Sequence, residues 1–202
     1  MPRAGIRAFM RSSQHLLILA ILAAFGGNAP AGEAPALPPL FSEGMVLQQG
    51  TPAPVWGRAA PGEEISVSLA GQTARGQADD AGRWLVRLPA LAPGGPFALT
   101  VAGRTSVTVK DVLVGEVWVC SGQSNMAMCV KDAADAEREK AAGTHETLRM
   151  FTVVRGSAAA PQEKVQGVWR AARPDTVGSF SAVGYFFGRE LNTKLNTPIG
   201  MI

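Results

Sequence analysis

Apolar and polar residues alternate with a period of two through much of residues 37–110. Ile65, Val67 and Leu69 fall on one face, with Ser66 and Ser68 on the other. Trp84, Val86 and Leu88 repeat the pattern, and so do Phe97, Leu99 and Val101. This period is that of strands with one face buried. Turn-forming strings separate the runs: residues 60–62 (APG), 70–71 (AG), 79–82 (DDAG), 93–96 (PGGP) and 102–103 (AG). Short strands with turns at roughly ten-residue spacing predict a small β-sandwich over 37–110. The segment contains no His or Cys, and its acids sit mostly at turns. Nothing in it points to catalysis.

The pattern changes after Lys110. Residues 112–120 (VLVGEVWVC) are apolar on both faces apart from Gly115 and Glu116, which suits a buried parallel strand. Residues 131–142 (KDAADAEREKAA) predict a helix. Opposite charges stand at helical spacing in Lys131/Asp135, Asp135/Arg138 and Glu137/Lys140, as on a solvated face. Gly143 is placed to stop it. Residues 148–154 predict a strand and a loop runs through Pro161. Residues 180–195 predict a helix with Phe180, Val183, Phe187 and Leu191 on one stripe, and 198–202 start another strand. The alternation of strand and helix predicts an α/β domain over 111–202. Two or three strands and two helices leave an open sheet edge and one poorly covered face. The chain therefore reads as truncated within this second domain.

Charge changes the picture at the N-terminus. Lys and Arg number 19 against 16 Asp and Glu, a formal net charge of +3. The whole excess lies in Arg3, Arg7 and Arg11, in a stretch with no acid. Residues 16–25 (LLILAILAAF) follow as an unbroken apolar run, then Gly26, Gly27 and Asn28, then Ala29-Pro30-Ala31. A membrane-spanning helix needs about twenty apolar residues, so this run reads as the apolar core of a secretory signal, cleaved after Ala31. Residues 1–31 are thus expected to leave, and the mature protein to be extracytoplasmic, periplasmic or secreted. No other segment is long and apolar enough to span a membrane. What remains is formally neutral, which counts against a nucleic-acid partner. Hydrophobic residues make up 47% and charged ones 17%, which excludes a disordered chain. Two cysteines exclude a disulfide scaffold.

Candidate chemistry gathers at residues 120–126 (CSGQSNM), where the buried strand gives way to a helical region. Reactive groups in open α/β sheets collect at the carboxyl ends of strands. Ser124 there could project from a tight turn, beside N–H groups able to stabilise an oxyanion. Gly122 permits the turn or a close backbone approach. On spacing alone, a Ser or Asn at such a junction is more often a helix cap, and that reading is favoured.

Residues 115–126 (GEVWVCSGQSNM) resemble the nucleophile block of the sialate O-acetylesterase family. Residues 41–48 (FSEGMVLQ) and 54–57 (PVWG) resemble that family's N-terminal opening. Residues 176–191 (TVGSFSAVGYFFGREL) resemble its helix before the second block. The resemblance covers nearly all of 37–202. It implies an extracytoplasmic carbohydrate esterase whose catalytic domain is a three-layer α/β fold of the SGNH-hydrolase, flavodoxin-like kind, here only in its first part. It implies Ser124 as the nucleophile that attacks an acetyl ester, with Gly122, Gln123 and Asn125 as the supporting turn and the Ser124 N–H as one oxyanion donor. An O-acetylated carbohydrate is the implied substrate, and no metal or organic cofactor is implied. The family's further oxyanion donors and its His and Asp come in later blocks, which this chain does not contain. One departure is local: the family often places an acid and an aromatic after the Met, where this chain has Ala127 and Met128.

His145 is the one histidine outside the leader. It follows the charged helix in an expected loop and reads as solvated. Without a base, Ser124 is a weak nucleophile, so the chain alone is expected to have negligible esterase activity. An oxidising compartment permits a disulfide between Cys120 and Cys129, although Cys120 also reads as a small apolar residue at a strand end. Two cysteines and one loop histidine do not make a metal site. A phosphate-cradling Gly-Lys loop is absent. A second class stays open: a non-catalytic glycan- or protein-binding sandwich with a degenerate hydrolase remnant, favoured if aromatics line one exposed face.

Overall fold

The structure, a computed structural model, describes residues 34–154, 156–160, 162 and 165–202. The expected signal segment, 1–31, lies outside the described residues.

Seven strands come first: β1 (Val46–Gln48), β2 (Ala53–Arg58), β3 (Glu64–Leu69), β4 (Gln72–Gln77), β5 (Arg83–Leu88), β6 (Gly94–Ala102) and β7 (Ser106–Trp118). The alternation read from the sequence is met in each case. Ile65, Val67 and Leu69 are buried on β3, Trp84, Val86 and Leu88 on β5, and Leu99 and Val101 on β6. Each such side chain removed from water contributes about 1.5–3 kcal/mol. β3 and β4 pair antiparallel with Leu69 opposite Gln72. The two residues between them, Ala70 at φ +49° and Gly71 at φ +77°, give the left-handed pair that two-residue hairpins prefer.

The larger sheet runs β4-β3-β6-β7-β10-β8-β9, where β8 is His145–Phe151, β9 is Trp169–Ala172 and β10 is Ile199–Met201, with β1 also on β7, while β2 and β5 form a separate antiparallel ribbon. Ribbon and sheet share one core that includes Val55, Val67, Trp84, Leu88 and Leu99. The expected boundary between 110 and 111 falls inside β7. This strand is antiparallel to β6 and parallel to β1 and β10. The sheet is therefore antiparallel from β4 to β7, parallel across β7, β10 and β8, and antiparallel again where β9 pairs with β8. Asp111, at φ +53°, marks the irregular pairing with β6. Its carboxylate accepts two hydrogen bonds from Arg149, at 2.6 and 3.1 Å, which ties β7 to β8.

Beyond β7 come α1 (Ser124–Ala127), α2 (Ala136–Ala142), β8 (His145–Phe151), β9 (Trp169–Ala172), α3 (Ala182–Leu195) and β10 (Ile199–Met201). β10 lies parallel between β7 and β8. A second core forms here from Val130, Leu148, Phe180, Tyr185, Ile199 and Met201, among others.

Four expectations need correction. The helix expected over 131–142 holds only as α2, since Asp135 is left-handed at φ +56°. Upstream, Val130 is fully buried and its N–H donates to the Phe180 carbonyl at 3.0 Å. That bond ties this stretch, which makes only a single 3-10 turn at Val130–Asp132, to the segment just before α3. Two of the three expected pairs form, Asp135–Arg138 at 3.7 Å and Glu137–Lys140 at 2.9 Å.

The strand expected over 148–154 begins three residues earlier, at His145. β9 has no counterpart in the expectation, because Trp169–Ala172 (WRAA) is too short and too polar to show a period.

On α3 half of the expected stripe faces inward: Phe180, just before the helix, is buried and Leu191 packs against the second core. Ala182, Gly184, Tyr185 and Gly188 are buried, while Val183 is 46% and Phe187 42% exposed. Small residues win that face because the helix lies so near the sheet. A Cβ at Gly188 would stand 2.8 Å from Leu148 Cδ1. Phe187 instead meets Trp118 edge-on, with ring centroids 5.1 Å apart.

Candidate active site

The carboxyl ends of three parallel strands lie level, with Trp118 opposite Met201 and Met201 opposite Met150. A cavity of about 310 Å³ opens there, lined by residues 120–123, Met126, Cys129, Met150, Thr152, Ser181 and Met201 among others. This is where open α/β sheets hold ligands. A larger groove of about 540 Å³ lies against Trp56, Arg58, Arg83 and Trp84. It holds no nucleophile and no histidine, so the smaller crevice is the better candidate.

Ser124 is the first residue of α1 and is exposed. β7 ends at Trp118, so five residues make the strand-to-helix turn. Gly122 is required in it, because a Cβ there would lie 2.9 Å from Met126 Cβ. Gln123 occupies the position before α1 without capping it through its side chain. The helix-cap alternative for Ser124 therefore does not describe this junction. Gln123 and Gly122 line the crevice, and Asn125 is exposed beside it. The Ser124 hydroxyl makes no hydrogen bond among the described residues.

His145 is not brought to Ser124. It opens β8, five residues before Met150, while Ser124 follows the carboxyl end of β7. Five strand residues span about 17 Å, so the two lie toward opposite ends of the sheet. His145 packs near Tyr185, with rings 6.5 Å apart. Burial, then the charge of Arg189, hold its pKa below the ordinary histidine value against the opposing pull of Glu139. Cys120 and Cys129 are free thiols on the crevice wall, and burial raises the Cys120 pKa. Among the described residues no cluster of three or more His, Cys, Asp or Glu could hold a metal ion.

Sequence reasoning passed over one linkage. Glu116 on β7 accepts hydrogen bonds from Gln49 at 2.7 Å and Gln48 at 3.2 Å. The Gln48 side-chain oxygen also accepts the Val117 N–H at 2.8 Å. Beyond the end of β1, that side chain thus continues the pairing of β7. The only available signal was the joint presence of the 41–48 and 115–126 strings.

No protein-family model matches the chain. The chain is 34% identical over 183 residues to sialate O-acetylesterase of Homo sapiens, covering 78% of this chain and 34% of that one. It is 32% identical over 182 residues to the Mus musculus sialate O-acetylesterase, covering 78% and 33%. A crystal structure of a carbohydrate acetylesterase from Xanthomonas citri matches with a TM-score of 0.80 and 44% identity, over 83% of this chain and 39% of that one. The chain is a homologue of the sialate O-acetylesterases. It spans about a third of the length of the curated relatives it matches. In this sialate O-acetylesterase homologue, no helix among the described residues is long and apolar enough to cross a membrane.

Proposed function

We propose that the chain carries the nucleophile portion of an extracytoplasmic carbohydrate O-acetylesterase, delivered by a cleaved segment at 1–31. The observation that carries the reading is the exposed Ser124 at the turn where β7 ends, beside a crevice at the strand ends. Kinship to proteins named sialate and carbohydrate acetylesterases supports the reaction class. On this reading the Ser124 hydroxyl attacks the acetyl carbonyl of an O-acetylated sugar. The Ser124 N–H donates to the developing oxyanion. The sugar hydroxyl leaves, and water hydrolyses acetyl-Ser124 to acetate. Gly122, Gln123 and Asn125 shape the turn. The base that accepts the Ser124 proton comes from outside residues 34–202, since His145 stands at the wrong end of β8. The 202-residue chain by itself then turns over p-nitrophenyl acetate negligibly.

A chimera tests both halves. This chain is joined in place of the matching 39% of the Xanthomonas citri esterase. Release of acetate from O-acetylated sugars is expected, and Ser124→Ala should lower it at least about a thousandfold. Equal activity with and without the Ser124 hydroxyl would overturn the assignment.

A further inference from the structure

α1 is four residues long and buries none of them. A helix this short does not hold itself, because its first turn fixes several dihedrals for very few bonds. Its own bonds are two. The Ala127 N–H donates to the Gln123 carbonyl and the Met128 N–H to the Ser124 carbonyl, each at 3.0 Å. The pose of Ser124 must therefore be set from elsewhere.

The Ser181 hydroxyl lies 2.5 Å from the Met126 carbonyl oxygen and 3.4 Å from Met126 Sδ. The carbonyl is the better acceptor, so the hydroxyl proton goes there. The Ser181 hydroxyl oxygen in turn accepts the Gly184 N–H at 3.2 Å, which makes Ser181 the N-cap of α3. α3 has fourteen residues and is anchored by the fully buried Tyr185. One hydroxyl thus ties a helix that is marginal alone to one that is firmly packed. Neighbouring backbone bonds, from Ala182 N–H to the Met128 carbonyl at 2.8 Å and from Val130 N–H to the Phe180 carbonyl at 3.0 Å, hold the chain after α1 and not α1 itself. The Cys129 thiol reaches the Ala127 carbonyl only at 3.7 Å and from two residues along the chain, so among the described residues Ser181 makes the one short hydrogen bond into α1 from a distant element.

We propose that Ser181 is a positioning residue: by holding the Met126 carbonyl it fixes the roll of α1 and hence the direction of the Ser124 side chain. Its catalytic meaning rests on Ser124 being the nucleophile, while the tether itself does not. Three variants separate the tether from the cap. Ser181→Asp keeps an acceptor for the Gly184 N–H and has no proton to donate at neutral pH. Ser181→Ala loses both bonds, and Ser181→Thr keeps both.

Amide hydrogen exchange followed by NMR on the full chain is the readout. In Ser181→Asp, the Ala127 and Met128 amides should exchange roughly tenfold faster, the scale of one lost hydrogen bond. The Tyr185 amide, bonded to the Ser181 carbonyl at 2.8 Å, should keep its rate. Ser181→Ala should speed all three, and Ser181→Thr should match the native chain. Unchanged rates at Ala127 and Met128 in Ser181→Asp, or no protection there in the native chain, would overturn the tether. A tether that stands while the chimera ignores Ser124→Ala would overturn the nucleophile reading alone.

Discussion

In β3, β5 and β6 alternate side chains are buried, and the tight places are filled by Val, Leu, Ile and Trp. Around the junction of β7 and β10 the tight places are glycines. A Cβ on Gly115 would lie 1.9 Å from the Pro198 carbonyl oxygen, and one on Gly200 would lie 2.8 Å from Val46 Cβ. Ile199 and Met201 of β10 are buried at this junction, whereas Trp118 is 43% and Phe187 42% exposed. Close approach at glycine also occurs in the antiparallel region, where a Cβ on Gly57 of β2 would lie 2.2 Å from the Ala36 carbonyl oxygen. The difference is that alternating side chains fill most of that core, while glycines set the spacing where β7 meets β10. A site made the second way tolerates added atoms poorly, and a few hydrogen bonds such as that of Ser181 decide its shape.

The comparison can be broken by stability measurements. Gly115→Ala should have the largest effect, about 4 kcal/mol, because the obstacle is a backbone oxygen that cannot rotate away. Urea unfolding of the full chain measures it, and a cost below about 1 kcal/mol would mean that close approach is not what holds β10. Leu99→Ala tests the opposite regime. Leu99 is fully buried on β6, so truncation leaves a cavity and should cost about 3 kcal/mol. Gly115→Ala should also speed hydrogen exchange in β10 selectively, whereas Leu99→Ala should lower protection across β3, β6 and β7.

The same contrast governs what could be read from the sequence. Period-two alternation located β3, β5 and β6 because burial there is decided by each strand's own residues. A continuous apolar run located the strand before Ser124, since Val112, Leu113 and Val114 are apolar whichever face they take. Helical spacing chose only part of the inner face of α3, where Gly184, Tyr185 and Gly188 fit against β8 and β10. Hydrophobicity favoured Val183 and Phe187 instead. Helical spacing failed at residues 131–135, where a bond to Phe180, fifty residues away, overrides a good helical string. The candidate nucleophile was legible as a junction residue, and the resemblance supplied its role. Ser181, Gln48 and Glu116 were not legible, because polar side chains that reach distant backbone leave no local period.

The smallest of the expected effects separates the two regions by pH. The antiparallel region has no histidine, and its clearly displaced acid is Asp79. Bonds from the Arg83 backbone and guanidinium hold its pKa below the usual carboxylate value. The α/β region that carries the crevice includes, at its opposite end, His145, whose pKa is held below its ordinary 6.5, first by burial and then by Arg189. Both groups are lowered on folding, so both contributions are present at neutral pH and vanish as pH falls, though in different windows. His145 must become charged against its surroundings from its ordinary value downward, whereas the contribution of Asp79 is lost from the ordinary carboxylate value downward, at lower pH. Glu146, held low by its hydrogen bonds from Arg173, belongs to the acid window too. The urea midpoint should therefore begin to decline on acidification before any carboxylate titrates. His145→Asn should flatten that early part and leave the acid part in place. An early decline that survives His145→Asn would assign it to some other group and remove the distinction between the regions.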